Sequence, residues 1–235
     1  MKKLIVKVCG MCDGENMRQV AELGADWIGM VFWDRSPRNV TMIPTNAGII
    51  PDRASLSPIA ISRSPQRVGV FVDEMAQNII TRVVNFKLDL VQFHGSESPT
   101  LIRNLRRTLD PDIRPGIKFI KAVSIGCRND VEAYRQYEDC VDYFLFDTKC
   151  TSVGGSGEQF DWTVLDAYDG GRPFLLSGGI GPDDAERINA FFNSGSPAAD
   201  KCIGIDLNSR FETKPGMKDV EALRHFLSQI SPSTP

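Results

Sequence analysis

A thiol, a carboxylate and an imidazole, all suited to proton chemistry, stand at the ends of short apolar runs. Cys9 closes the run 4–9, Asp147 closes 143–147 and His94 follows 88–93. A free thiol titrates near about 8.5 and a carboxylate near about 3.9, so either group, tuned toward neutrality, could exchange a proton with one face of a bound substrate. A phosphate nearby would raise both values by repulsion, which helps an acid and hinders a base. Residue type by itself leans to blander roles: a small buried hydrophobe for Cys9 and a capping or ion-paired carboxylate for Asp147. Arg38 offers a planar fork that suits a carboxylate anion.

Glycines supply the second signal. Gly154-Gly155-Ser156-Gly157 follows the run ending at Asp147, and Ser177-Gly178-Gly179 stands just ahead of a helix start near Pro182. The last run ends in Asp206-Leu207-Asn208-Ser209. Glycine lets backbone N–H groups approach an anion closely, and a helix N-terminus adds partial positive charge. These loops are therefore expected to hold a phosphate. Cys9-Gly10-Met11-Cys12 has the spacing of a redox pair, which keeps a thiol–disulfide oxidoreductase as a rival. With no second pair and no nearby histidine it makes a poor zinc site.

The elements that must position these groups can be read from periodicity. Strand-like runs cover 4–9, 27–33, 67–72, 88–93, 118–123, 143–147, 174–177 and 202–206. Most are apolar along nearly their whole length, as expected of parallel strands covered on both faces. Helical stripes lie between them: Ile79, Ile80, Val83 and Val84; Leu101, Ile102, Leu105 and Leu109; and Val220, Leu223, Phe226, Leu227 and Ile230. This repetition predicts an α/β fold, a (β/α)₈ TIM barrel forming a single domain over 1–235. A doubly wound sheet would show a glycine fingerprint after its first strand, and none follows Cys9-Gly10. The second unit is irregular, because Pro44, Pro51, Pro58 and Pro65 allow only a short or broken helix there. In such a barrel the chemistry sits where the strands end, which draws Cys9, Asp34 to Arg38, Asp73, Gln92 to Gly95, Lys121, Ser124, Asp147, Ser177 to Gly179 and Asp206 to Ser209 to one rim.

Composition bounds the partners. The 235 residues carry 27 Lys and Arg against 30 Asp and Glu, a net charge of −3, so nothing pulls the chain as a whole toward nucleic acid or an anionic membrane. No apolar run is long enough to span a bilayer, and Lys7 interrupts the N-terminal apolar stretch that a secretory signal would need. Six scattered cysteines in a chain large enough to build its own core read as reduced thiols. The expectation is a cytoplasmic protein, monomer or homodimer, acting on a small molecule.

Taken together and in order, these segments resemble the phosphoribosylanthranilate isomerase family of tryptophan biosynthesis across essentially the whole chain. The similarity rests on Lys7-Val8-Cys9-Gly10, Gly24-Ala25-Asp26, Ser36-Pro37-Arg38, Val91-Gln92-Phe93-His94-Gly95, Phe146-Asp147-Thr148, Gly154-Gly155-Ser156-Gly157, Ser177-Gly178-Gly179, Gly204-Ile205-Asp206 and Pro215-Gly216-Met217-Lys218-Asp219. The resemblance implies an Amadori rearrangement of N-(5-phosphoribosyl)anthranilate needing no cofactor and no metal. It casts Asp147 as general acid and Cys9 as general base, pairs Arg38 with the anthranilate carboxylate, and seats the phosphate on Gly155, Gly179 and Ser209. Gly178, Asp206 and His94 would line the same pocket. Two departures stand out: the proline-rich stretch 45–63 is unlike the regular second helix usual in the family, and Asn208 and Arg210 stand where Ser and Gly are commoner. Rival readings are another phosphosugar isomerase, an indole-glycerol-phosphate-type barrel enzyme, or a noncatalytic sugar-phosphate binding barrel. The trio Cys9, Asp147 and Arg38 favours the aminosugar isomerase over these.

Overall fold

Runs that are apolar on both sides have to be covered on both sides, and a closed barrel wrapped in helices does this. The computed structural model describes residues 4–45, 48–51, 65–148 and 161–230. Its strands are β1 (Ile5–Val8), β2 (Trp27–Phe32), β3 (Met42–Thr45), β4 (Gly48–Pro51), β5 (Gln66–Phe71), β6 (Leu90–Phe93), β7 (Lys118–Ile125), β8 (Tyr143–Thr148), β9 (Phe174–Leu176), β10 (Cys202–Leu207), β11 (Glu212–Lys214) and β12 (Met217–Lys218). Eight of them close in the order β1-β10-β9-β8-β7-β6-β5-β2, with β1 also pairing β2. The chain therefore steps round the barrel one strand at a time, with every pairing parallel.

Alternation along each strand splits the buried residues into two cores. Inward positions Val31, Val68, Val70, Leu90, Ile120, Leu145, Leu175 and Ile203 fill the barrel together with Cys9 and Trp27. Trp27 and Tyr143 meet edge to face at 5.4 Å across the interior. Outward positions such as Phe32, Phe71, Phe93, Phe119, Phe144, Phe146 and Phe174 pack under the helices.

The helices are α1 (Gly14–Glu22), α2 (Ala76–Phe86), α3 (Pro99–Leu109), α4 (Ala185–Phe192), α5 (Pro197–Lys201) and α6 (Val220–Gln229). Asp13, Ser98 and Asp219 cap α1, α3 and α6 through their side chains, and Pro99 opens α3. In α2 the buried face is Ile79, Val83 and Phe86, while Val84 is exposed, so the stripe is rotated from the one centred on the two adjacent pairs. Among the described residues, the helical segments after β7 and β8 are 3₁₀ helices, Arg128–Tyr137 and Trp162–Ala167.

The irregular second unit takes a form that periodicity did not foresee. Beyond β2 the chain makes an antiparallel hairpin of β3 and β4, pairing Ile43 with Ile50, and no α-helix lies between β2 and β5 among the described residues. Pro44 and Pro51 bar a helix, but a two-stranded hairpin consists only of edges and tolerates them. Pro58 and the rest of 52–64 lie outside the described residues. A second hairpin, β11–β12, follows the eighth barrel strand and pairs Glu212 with Lys218.

Candidate active site

Strand β1 sends alternate residues into the barrel. Lys7 is fully buried and donates from Nζ to Asp206 Oδ1 at 2.8 Å. The two residues stand opposite each other in the register of β1 and β10. Burial works against the Lys7 charge, yet Asp206 and the neighbouring Cys9 thiol hold its pKa above the ordinary lysine value. Cys9, two positions on, shares this face and is 4% exposed. Burial pushes its thiol pKa up; Lys7 pulls it back, Asp206 adds to the rise and Lys218 opposes it. The thiol needs space on the adjoining strand, because a Cβ on Gly29 would lie 2.7 Å from Cys9 Sγ.

Further round the rim, a short chain of polar groups links β6 to β8. The buried Gln92 amide nitrogen lies 3.0 Å from His94 Nδ1, and His94 Nε2 lies 3.5 Å from Asp147 Oδ2. The imidazole thus bridges the Gln92 amide and the Asp147 carboxylate. Asp147 Oδ1 accepts the Thr148 N–H at 2.9 Å, and Ser177 also bonds the carboxylate. Burial disfavours the Asp147 charge, but His94, Thr148 and Ser177 outweigh it and hold the pKa below the ordinary aspartate value. Gln92 Oε1 is buried without a hydrogen-bond partner among the described residues.

Arg38 reaches the same rim from the loop after β2. A turn from Trp33 to Ser36, with the Ser36 hydroxyl accepting the Arg38 N–H at 3.1 Å, presents the side chain. Gly10, at φ 74°, leaves the space that the stem crosses: a Cβ there would come within 2.6 Å of both Arg38 Cδ and Asn208 Oδ1. The guanidinium is gripped by Glu212, with Nε 2.9 and 3.1 Å from the two carboxylate oxygens and Nη2 2.6 Å from Oε2. Lys218 Nζ joins them, 2.6 Å from Glu212 Oε1 and 2.9 Å from Asn208 Oδ1.

The anion loops adjoin because β9 and β10 are neighbours. Gly178 and Gly179 both have positive φ, at 91° and 68°, and a Cβ on Gly178 would lie 2.7 Å from Thr148 N. Beyond them Gly181 opens the turn Pro182–Asp184 that leads into α4, its N–H capped by Asp184 Oδ2 at 2.7 Å. Ser209 begins a single 3₁₀ turn after β10, and the Arg210 side chain lies against Gly181. Thr148 Oγ1 is buried with no hydrogen-bond partner among the described residues. Gly155 and its glycine-rich neighbours lie outside the described residues.

Of the residues singled out from sequence, Cys9, Arg38, His94, Asp147, Gly178, Gly179, Asp206 and Ser209 all sit where barrel strands end or in the loops just beyond. Lys121 and Asp73 do other work. Lys121 turns outward, with Nζ 2.6 Å from Gly95 O and 3.3 Å from Glu97 Oε2, and Asp73 accepts the Ser96 N–H at 2.6 Å. Cys12 donates to the Arg38 carbonyl at 3.1 Å, and both it and Cys9 are free thiols. Lys7, Gln92 and Lys218 stand inside motifs quoted from the sequence but carry no role there, and Glu212 stands in none of them. Lys7 had a signal, since a charge two residues before Cys9 in an apolar strand must share its face. Glu212 had none, because its hairpin shows no period.

The sequence profile of the family described as N-(5'phosphoribosyl)anthranilate (PRA) isomerase matches residues 6–229. Among relatives, the N-(5'-phosphoribosyl)anthranilate isomerase of Parabacteroides distasonis is 43% identical over 227 residues, covering 97% of this chain and 93% of that protein. The isomerase of Phocaeicola vulgatus is 38% identical, over 97% of this chain and 98% of the relative. The crystal structure of phosphoribosyl anthranilate isomerase from Thermotoga maritima superposes with a TM-score of 0.74 at 30% identity, covering 97% and 98% of the two chains. Another solved structure, with a TM-score of 0.70 at 27% identity over 97% of this chain and 98% of that one, is a phosphoribosyl anthranilate isomerase in complex with reduced 1-(o-carboxyphenylamino)-1-deoxyribulose 5-phosphate. A barrel with this strand order, this rim and relatives this similar over nearly its full length belongs to the N-(5'-phosphoribosyl)anthranilate isomerase family.

Proposed function

We propose that this rim catalyses the Amadori rearrangement of N-(5-phosphoribosyl)anthranilate to 1-(2-carboxyphenylamino)-1-deoxyribulose 5-phosphate, the isomerisation that serves tryptophan biosynthesis, within one catalytic domain. The observation behind the residue roles is the pairing of each proton-transfer group with a partner that stabilises its charged form. Asp147 stands beside His94, and Cys9 stands beside Lys7.

In this reading Asp147 protonates the furanose ring oxygen. The ring opens to a Schiff base, and the carboxylate left behind keeps its bond to His94. Cys9, as thiolate, then removes the proton from C2′. The Schiff base is cationic when protonated, so it lowers the thiol pKa at the moment the base is needed. The resulting enolamine tautomerises to the ketone, so one proton enters, one leaves and no oxidant is required. Binding the phosphate and carboxylate adds negative charge, which lifts Asp147 from its low free-site value toward that of a usable acid. Arg38 takes the anthranilate carboxylate, and backbone N–H groups of Gly179, Ser209 and Gly155 take the phosphate, with Gly178, Asp206 and His94 lining the pocket.

The test is the loss of anthranilate-type fluorescence when the protein is added to freshly generated phosphoribosylanthranilate. Wild type should quench the signal, and Cys9→Ala and Asp147→Ala should each slow it on the order of 10²-fold or more. Inert wild type that still binds inorganic phosphate would overturn the reaction while leaving the anion site.

A further inference from the structure

We propose that Glu212 is the positioning residue that aims Arg38, so that recognition of the substrate carboxylate is set by the β11–β12 hairpin as much as by the arginine. This rests on the reaction proposed above and goes beyond it, since Glu212 itself touches no substrate there.

The geometry of the guanidinium carries the argument. Glu212 occupies the edge formed by Nε and Nη2, and no hydrogen bond among the described residues uses Nη1. A guanidinium held side-on by one carboxylate still offers its Nη1/Nη2 end to a second, and that end accepts a planar carboxylate in a two-point grip. An unheld arginine has several rotatable bonds to freeze on binding; this one is already frozen on one side.

Charge points the same way. Arg38 and Lys218 bring two positive side chains to the single Glu212 carboxylate, with side-chain exposures of 14%, 0% and 4%. The further Lys218 partner, Asn208 Oδ1, is neutral. A buried cluster with one positive charge in excess favours an anion, and the anthranilate carboxylate supplies it. Glu212 is itself held from behind, since its Oε1 accepts the Gly216 N–H at 3.2 Å within the hairpin. The competing role is purely mechanical, with Glu212 locking the hairpin and nothing more.

The two roles separate by ligand. The probes are the product 1-(2-carboxyphenylamino)-1-deoxyribulose 5-phosphate and its analogue without the ring carboxylate, each measured as a competitive inhibitor, alongside KM and kcat for phosphoribosylanthranilate. Glu212→Gln should raise KM and the inhibition constant of the carboxylated product about ten-fold or more, with kcat changed less than about three-fold. The inhibition constant of the analogue should move less than about two-fold, and adding Glu212→Gln to Arg38→Met should cost almost nothing further. Glu212→Asp, which keeps the charge but withdraws it by one methylene, should show the same bias more weakly, and it provides the reading if circular dichroism shows Glu212→Gln unfolded. Equal weakening of both inhibitors, or a fall in kcat at constant KM, would overturn the proposal. Failure of wild type to turn over phosphoribosylanthranilate would instead strike the reaction, and direct binding of the same two ligands, measured by calorimetry, would still report on the carboxylate.

Discussion

The two ends of the barrel use acidic residues in opposite ways. At the bottom, Asp26, Asp89 and Asp142 each stand one residue before a strand and repeat one arrangement. Each donates its backbone N–H to the preceding barrel strand, to the carbonyls of Val6, Arg67 and Phe119 at 2.9 Å. Each carboxylate accepts an N–H from that same residue, at 3.1, 2.9 and 2.8 Å. Arg114 adds an ion pair to Asp89, and Arg106 and Lys118 add ion pairs to Asp142. At the top, Asp147 faces an imidazole, Asp206 faces a lysine beside a thiol, and Glu212 is outnumbered by two cations. Backbone N–H groups, with ion pairs at Asp89 and Asp142, already satisfy these carboxylates, so the bottom stores stability. Imidazole, thiol and an uneven charge balance respond to whatever binds, so the top is where chemistry is possible.

The largest effect that would test this contrast is on turnover. Asp147→Asn or Cys9→Ala should lower kcat by about 10²- to 10⁴-fold while leaving the urea midpoint close to wild type. Loss of stability of several kcal/mol instead would place these residues with the bottom group. Next comes the anion site: Gly178→Ala, forced into a positive φ and against Thr148, should raise KM for the phosphorylated substrate by about ten-fold. An unchanged KM would remove this loop from phosphate binding.

Asp142→Asn should do the reverse, costing about 1–3 kcal/mol in urea unfolding with little change in kcat for the protein that remains folded. The pH dependence has a definite sign. Burial opposes the Asp142 charge, but the Arg106 and Phe119 bonds hold its pKa below the ordinary value. Its contribution is therefore present above the unfolded-state value near about 3.9 and fades as pH falls through the lower folded value. Stability measured from pH 6 down to 3 should fall less steeply in the variant.

A subtler test concerns the pH profile of kcat/KM. The acid Asp147 is held below its ordinary value and the base Cys9 above its own. Between two values in that order, the fraction with Asp147 protonated and Cys9 ionised does not change with pH. The profile should be flat from about pH 5 to 8.5, apart from the substrate phosphate's own ionisation near about 6. A narrow bell inside that range would assign the protons differently. Smallest of all is Cys12→Ala, which removes one thiol bond to the Arg38 carbonyl and should leave activity within a few-fold. A large loss accompanied by a titratable Cys9–Cys12 disulfide would revive a redox role.

How far the site could be read from sequence depended on whether a residue sat on a regular element. Cys9, His94 and Asp147 were legible because strand ends in a repeating β/α pattern define a rim before any coordinates exist. Lys121 marks the limit of that logic: one step along a strand reverses the face, and it points into the helical shell to pair with Glu97. The second unit shows the other limit, since prolines declare what a segment cannot be without naming the hairpin it becomes.

By itself the sequence determined the eight barrel strands, their near-continuous apolar character and the order of groups along the rim, all of which follow from local periodicity and chemistry. Tertiary structure alone decided which charges meet. Lys7 and Asp206 are 199 residues apart in the chain, and Arg38 and Glu212 are 174 apart. Barrel closure brings β1 against β10 and the late hairpin over the early loop. No period in a sequence encodes such pairings, because their energy comes from burial and distance that exist only once the barrel has closed.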